Sequence, residues 1–301
     1  MINDPFLSKD GEKFDTVKTR QYAFYLPMAD YTFFSRLKQG ALEASRDMDC
    51  AISFHSIDID PLSFKMAIDS GVDGVAVYLY KKDEEMIEEL VNLLDAGIPV
   101  IQIENQVAPT SEVSFIGTNS FDTGKGIGRL AMKANKDDLK IGLVFSDKNP
   151  GLMSDATMVE MGIKNILGDK ISSIITEKTS LNELDAGRMI NDVIAKGMDI
   201  DIIVLTDPRD TLVTIQTVVD LNLVGRIQII GFGDDDKIKE YIDKDVILGS
   251  IVRNPYMIGY SSVNALDDIS KNGITSAYVD TGIVVITEPS NPALQYREGF
   301  K

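Results

Sequence analysis

Tryptophan is absent from this 301-residue chain, and cysteine and histidine occur once each, as Cys50 and His55. One cysteine cannot close an intrachain disulfide or build a site from several thiolates. One histidine excludes a histidine-based metal cluster. A serine–histidine nucleophile would have to use His55 itself, and nothing near it in sequence supports one. No apolar run approaches the ~18–20 residues that cross a bilayer. Cations are also scarce: 30 Lys and Arg stand against 47 Asp and Glu, for a net charge of −17. The acidic excess is spread along the chain. That argues against a nucleic-acid surface, which needs clustered Lys and Arg, and against contact with anionic membranes. The stretch Met1–Gln21 has no charged segment followed by an apolar one, so it does not read as a secretory signal.

What the chain does have is a regular alternation of strands and helices. The length suits about two domains at ~150 residues each. Residues 21–27 predict a strand, followed by a helix over 32–47 with Phe34, Leu37, Ala41 and Ala44 on one face. A strand over 51–55, a helix over 61–70 and a strand over 74–78 follow. The spacing of Ile87, Leu90, Val91 and Leu94 predicts an amphipathic helix over 83–96. The run IPVIQI (98–103) is continuously apolar but for one glutamine, the mark of a strand buried on both faces. In the second half, strands are expected at 140–145, 171–176, 201–206, 227–232 and 247–252. Helices are expected at 120–134, 154–166, 182–196, 209–222, 235–242 and 256–271. This rhythm predicts βαβ units with right-handed crossovers: an α/β chain of two doubly wound parallel-sheet lobes.

Open parallel sheets bind ligands beyond the carboxyl ends of their strands. The segments there are Met28–Phe34, His55–Asp58, Leu79–Lys82, Glu104–Gln106, Ser146–Ser154, Asp207–Asp210, Gly233–Asp236 and Arg253–Tyr256. They mix carboxylates, amides and arginine with the aromatics Tyr31, Phe33 and Phe34. Such groups hydrogen-bond hydroxyls and cover the C–H faces of a sugar. Glu104, Asp207 and Asp234 would repel an anionic ligand. Gly124, Gly126 and Gly128 are spaced GxGxG rather than GxGxxG, so they read as helix packing and not as a dinucleotide fingerprint. The run Asp234–Asp236 reads as the start of a helix rather than a cation loop. No cofactor, no metal and no enzymatic activity are expected.

Four stretches together resemble the type I periplasmic sugar-binding proteins, the group of ribose-, galactose- and xylose-binding proteins that shares its fold with effector domains of lac-type repressors. They are ADYTFFSRLKQGALEAS (29–45), GVDGVAVYLYKKDEEMIEELVNLLDAGIPVIQIEN (71–105), IGTNSFDTGKGIGRLA (116–131), and IIGFGDDDKIKEYID with ILGSIVRNPYMIGYSSV (229–263). The resemblance covers about 22–286. It implies lobes of 20–118 plus 254–282 and of 119–253 plus 283–301, with crossings near 117–120, 233–236 and 253–256.

By resemblance, Phe33 and Phe34 match the aromatic pair that sandwiches a sugar ring, with Tyr31 beside them. Glu104 matches an acidic ligand residue, with Asn105 next to it where many members have arginine. Asp207, with Arg209 nearby, matches a second-lobe ligand residue, and Arg253 matches a polar residue at a crossing, with Asn254 beside it. Gly233 stands in place of a family aspartate, for which Asp234 is the substitute, and Thr157 and Val159 stand where arginine is common. Local readings compete with these roles. One of Phe33 and Phe34 is expected in the core and one in the cleft, since adjacent helical positions point about 100° apart. Asp207 equally suits a helix cap before Pro208, and Arg253 a structural ion pair. The implied function is an extracytoplasmic solute-binding protein. It closes over a small polar ligand, such as a pentose, and serves a membrane ABC permease or sensor histidine kinase. A repressor effector domain is the alternative. An enzyme on a related fold is disfavoured by the missing fingerprint.

Overall fold

The computed structural model describes residues 19–27, 32–57, 63–79, 84–105, 113–148 and 155–287. The first sheet is built from β1 (Gln21–Leu26), β2 (Ala51–Ser56), β3 (Gly74–Val77), β4 (Val100–Ile103), β5 (Ser114–Gly117) and β11 (Tyr278–Asp280). Its order is β2-β1-β3-β4-β5-β11, all parallel. The second contains β6 (Leu139–Ser146), β7 (Ile171–Thr179), β8 (Ile202–Leu205), β9 (Gln228–Phe232), β10 (Gly249–Arg253) and β12 (Ile283–Ile286). Its order, β7-β6-β8-β9-β10-β12, repeats the first. Each sheet therefore has a switch point beside its first strand in chain order, β1 or β6, where the order reverses.

Helices cover the faces. α1 (Thr32–Asp47), α2 (Ser63–Ser70), α3 (Glu84–Asp95) and α9 (Pro255–Asn272) flank the first sheet. α4 (Ser120–Ala131), α5 (Ala156–Leu167), α6 (Asp185–Ala195), α7 (Pro208–Asp220) and α8 (Asp236–Asp243) flank the second. The apolar stripe of α1 buries as its spacing predicts: Phe34, Leu37, Ala41 and Ala44 are all in the core. That of α3 is rotated from its prediction. Leu90 and Leu93 are fully buried while Val91 is exposed, because Leu93 extends the buried face through Leu90 on a period of three. In β4, Val100, Ile101 and Ile103 are sealed on both faces, each contributing roughly 1.5–3 kcal/mol by burial.

The GxGxG helix packs rather than binds. A Cβ on Gly124 would lie 2.1 Å from the Val159 carbonyl oxygen, and one on Gly162 would lie 2.1 Å from that of Phe121. α4 and α5 thus touch backbone to backbone, and Val159, at a position where arginine is common in the resembling family, sits fully buried at that contact. Gly40 and Gly259 make the same kind of contact between α1 and α9. Gly162→Ala would force α4 and α5 apart. A loss of roughly 1–3 kcal/mol is expected, read as a lower urea midpoint at unchanged slope; an unshifted midpoint would refute the close contact.

The second sheet is parallel but for its edge strand β12, which runs antiparallel to β10. One expectation needs correction. The segment 233–236 is not a crossing: it joins β9 to α8 inside the second lobe. The chain passes between the sheets after β5, after β10, and between β11 and β12 at Thr281–Gly282. β5, β11 and β12 were not read as strands, and the passage at Thr281–Gly282 was not among the named crossings, although the implied lobe bounds break at 282.

Candidate functional site

Both switch points open onto one cavity of about 470 Å³ between the lobes. Phe33, Phe34 and Arg36 reach it from the start of α1, after β1. Tyr78 follows β3. From the second lobe come Lys148 after β6, Asp207–Arg209 after β8, Phe232–Asp236 after β9, and Arg253 at the end of β10.

Phe34 is only 6% exposed and belongs to the first core, while Phe33 packs against that core from its edge. The expected division between core and cleft is incomplete: both rings border the cavity, at 5.2 Å and 89° to each other. Tyr78 stands edge-on to Phe34 at 5.1 Å. Its burial pushes the phenol up to about 12, so it stays a neutral donor.

Arg253 is the centre of the wall. Its NH1 donates to Glu104 Oε2 at 2.7 Å, with both side chains buried. Its guanidinium lies 4.4 Å from the Phe33 ring and 5.3 Å from the Phe232 ring. A charge withdrawn from water needs such partners. The Thr118 hydroxyl donates to Glu104 Oε1 at 2.8 Å. Glu104 itself adopts φ +61, a conformation that costs a non-glycine residue of order 1–3 kcal/mol. A Cβ at Gly117 would lie 2.9 Å from Glu104 Cα, so glycine there lets the two segments touch. Asn105 donates to the Leu79 carbonyl, and among the described residues its buried Oδ1 has no hydrogen-bond partner.

Asp207 is both cap and wall. Its carboxylate accepts from the backbone N–H groups of Arg209 at 2.9 Å and Asp210 at 3.2 Å, and it borders the cavity. Burial, and then the neighbouring Asp210 charge, raise its carboxyl above the usual carboxylate range. Beneath it lies a buried network. Lys148 Nζ donates to Asp210 Oδ1 at 2.8 Å and to the Ser180 carbonyl at 2.6 Å, while the Thr179 hydroxyl donates to Asp210 Oδ2.

Of the residues singled out in sequence, Phe33, Phe34, Asp207, Arg209, Asp234 and Arg253 therefore meet at the cavity. Glu104 and Asn105 stand behind Arg253 and Tyr78, outside the lining residues. Asn254 is also outside them: its side chain caps α9 by accepting from Met257 N–H at 3.1 Å. Tyr31 lies outside the described residues. Sequence reasoning did not single out Arg36, Tyr78, Lys148 or Phe232. Arg36 had a signal, since it is three residues past Phe33 and shares its helix face. Tyr78 and Phe232 were read as strand residues, yet each sits at the carboxyl end of its strand.

A family model described as a periplasmic binding protein domain matches residues 22–274. The chain belongs to the periplasmic binding protein family. No curated protein sequence matches it. Among solved structures, a glucose-galactose binding protein, GanP of Geobacillus stearothermophilus, is similar with 18% identity and a TM-score of 0.78, over 91% of this chain and 99% of that one. A solute binding protein of an ABC transporter from Agrobacterium vitis, bound with alpha-D-tagatopyranose, gives 19% and 0.78 over 91% and 97%. A chain of the XylFII-LytSN complex gives 19% and 0.73 over 90% and 98%. At these identities the likeness is one of fold. The cavity of this periplasmic binding protein lies between two sheets whose strand orders match. Among the described residues, no helix is long and apolar enough to cross a membrane.

Proposed function

We propose that this protein binds a neutral, monosaccharide-sized polyol in the cleft, closes on it, and presents it outside the cytoplasm to a membrane partner. The observation that carries this is the charge balance of the wall. Among the described residues that line it, each cation has a carboxylate partner: Arg36 with Asp234 at 2.6 Å, Lys148 with Asp210 at 2.8 Å, Arg253 with Glu104 at 2.7 Å, Lys239 with Asp236 at 3.3 Å, and Arg209 with Asp207 at 3.7 Å. An anionic ligand would have to displace one of these carboxylates, and Asp235, which also borders the cavity, adds a further negative charge against it. A neutral polyol needs hydrogen-bonding groups and aromatic faces, and the cavity offers both. Its volume of about 470 Å³ falls low in the range of ~300–1,000 Å³ typical of small-molecule pockets.

The ligands named for GanP and for the Agrobacterium vitis protein support a sugar. That second name also supports an ABC permease as partner, while the XylFII-LytSN complex supports a protein partner. The role is binding rather than catalysis, and Glu104, Asn105 and Asn254 act as supports of the wall. Ligand contact with both lobes would favour the closed form by its differential affinity.

The test is thermal melting of the purified protein with a panel of pentoses, hexoses and inositols, beside hexuronates, nucleosides and nicotinamide cofactors. A sugar at about a hundred times its Kd should add roughly 2.7 kcal/mol of stability, or about 5–10 °C. Stabilisation by a hexuronate, nucleoside or nicotinamide cofactor alone would overturn the proposal.

A further inference from the structure

Arg36 and Asp234 belong to different lobes, yet Arg36 NH1 donates to Asp234 Oδ2 at 2.6 Å. Arg36 stands on α1, and Asp234 stands on the loop after β9. Neither lies on a chain crossing. This separates the pair from Glu104 and Arg253, where Arg253 ends the strand that leads straight into the β10–α9 crossing. The loop divides its acidic run among three tasks. Asp235 caps α8 by accepting from Lys237 N–H at 2.9 Å, Asp236 turns its side chain fully to solvent, and among the described residues Asp234 alone of the three pairs with the opposite lobe. Gly233, at φ +94 and packed so that a Cβ would meet Pro208 Cγ at 2.7 Å, sets the turn that makes this division. The side chains of Arg36 and Asp234 are 35% and 20% exposed. Solvent and salt reach them, and both border the cavity.

We propose that Arg36 and Asp234 are positioning residues that latch the cleft, holding the lobes together before any ligand arrives. The pair exists only when the lobes are close, so it stabilises the closed form and not the open one. It thereby sets how often an empty cleft opens. A partly exposed pair of this kind shifts such an equilibrium by up to about fivefold. The proposal rests on the lobe movement in the preceding reading, not on the identity of the ligand.

The experiment is small-angle X-ray scattering of the full chain, stripped of ligand by unfolding and refolding. At about 10 mM NaCl the wild type should have a smaller radius of gyration than Arg36→Met or Asp234→Asn. Raising salt to about 1 M should screen the pair and erase the difference. The charge-reversed double variant, Arg36→Asp with Asp234→Arg, should return to the wild-type value at low salt. Melting curves establish that each variant is folded; if one is not, the other decides. Single variants as compact as the wild type at low salt, or a charge-reversed pair that stays open, would overturn the latch. The sugar panel is read separately. A latch difference in a protein that no sugar stabilises sinks the sugar reading and leaves the latch standing.

Discussion

Asp210→Ala should unfold the second lobe more readily than any surface change, with a loss of about 3–5 kcal/mol. The side chains of Lys148 and Asp210 are 0% and 1% exposed and 2.8 Å apart. Taking two charges out of water is costly, and their attraction repays this only with good geometry and further hydrogen bonds. Here the further bonds exist: Thr179 donates to the carboxylate and Lys148 also donates to the Ser180 carbonyl. Removing Asp210 leaves the ammonium buried without its counter-charge and deprives the Thr179 hydroxyl of that acceptor. At roughly 2–4 °C per kcal/mol for a unit this size, the melting temperature should fall by about 10 °C.

The same argument predicts the outcome of removing both charges. Lys148→Met with Asp210→Leu takes away the desolvation cost together with the attraction, so most of the lost stability should return. Differential scanning calorimetry of the single and double variants decides it. A single variant within about 1 kcal/mol of the wild type would mean that the pair is not sealed from water. The network joins the carboxyl ends of β6 and β7 to the first turn of α7, so it also steadies Asp207, which borders the cavity.

The two-lobed α/β fold was legible because its signals are repeated and local. Continuous apolar strands such as Val100–Ile103 and stripes such as Phe34, Leu37, Ala41 and Ala44 recur along the chain, and each is tied to burial. Glycines that bring α4 against α5 were readable as packing for the same reason. The unread parts depend on pairing at a distance. β11 has three residues and gains its partner β5 from more than 150 positions away. Only tertiary contact makes it a strand, so no window of sequence shows it. The site divides likewise. Phe33, Asp207 and Arg253 sit at the ends of readable elements, where topology places ligand groups. Lys148 and Arg36 acquire their meaning from Asp210 and Asp234, 62 and 198 residues downstream. Asp207 was ambiguous between cap and ligand group in sequence because both roles use the same carboxylate in the same place, and the structure has it capping α7 at the cavity wall.

On the proposed function, Arg253→Met should cost about 100-fold or more in affinity for the sugar that stabilises the wild type. Arg253 borders the cavity and ends the strand that leads into a crossing, held by Glu104 and by the rings of Phe33 and Phe232. Methionine keeps much of the stem and deletes the charge and its donors. A hydrogen bond from a charged donor is worth about 1.5–3 kcal/mol, so losing one or two of them to the ligand reaches the roughly 2.8 kcal/mol that is a hundredfold. Part of that loss is structural, since Glu104, at 2% side-chain exposure, is left charged without its cation. Glu104→Gln combined with Arg253→Met separates the two parts. Neutralising both should restore most of the stability in a urea titration, because no buried charge is stranded. Affinity in isothermal titration calorimetry should stay low, because the guanidinium that faces the ligand is still missing. If the double variant instead recovers affinity along with stability, Arg253 serves only as a strut for the crossing, and the wall that recognises the sugar lies with Phe33, Tyr78 and Asp207.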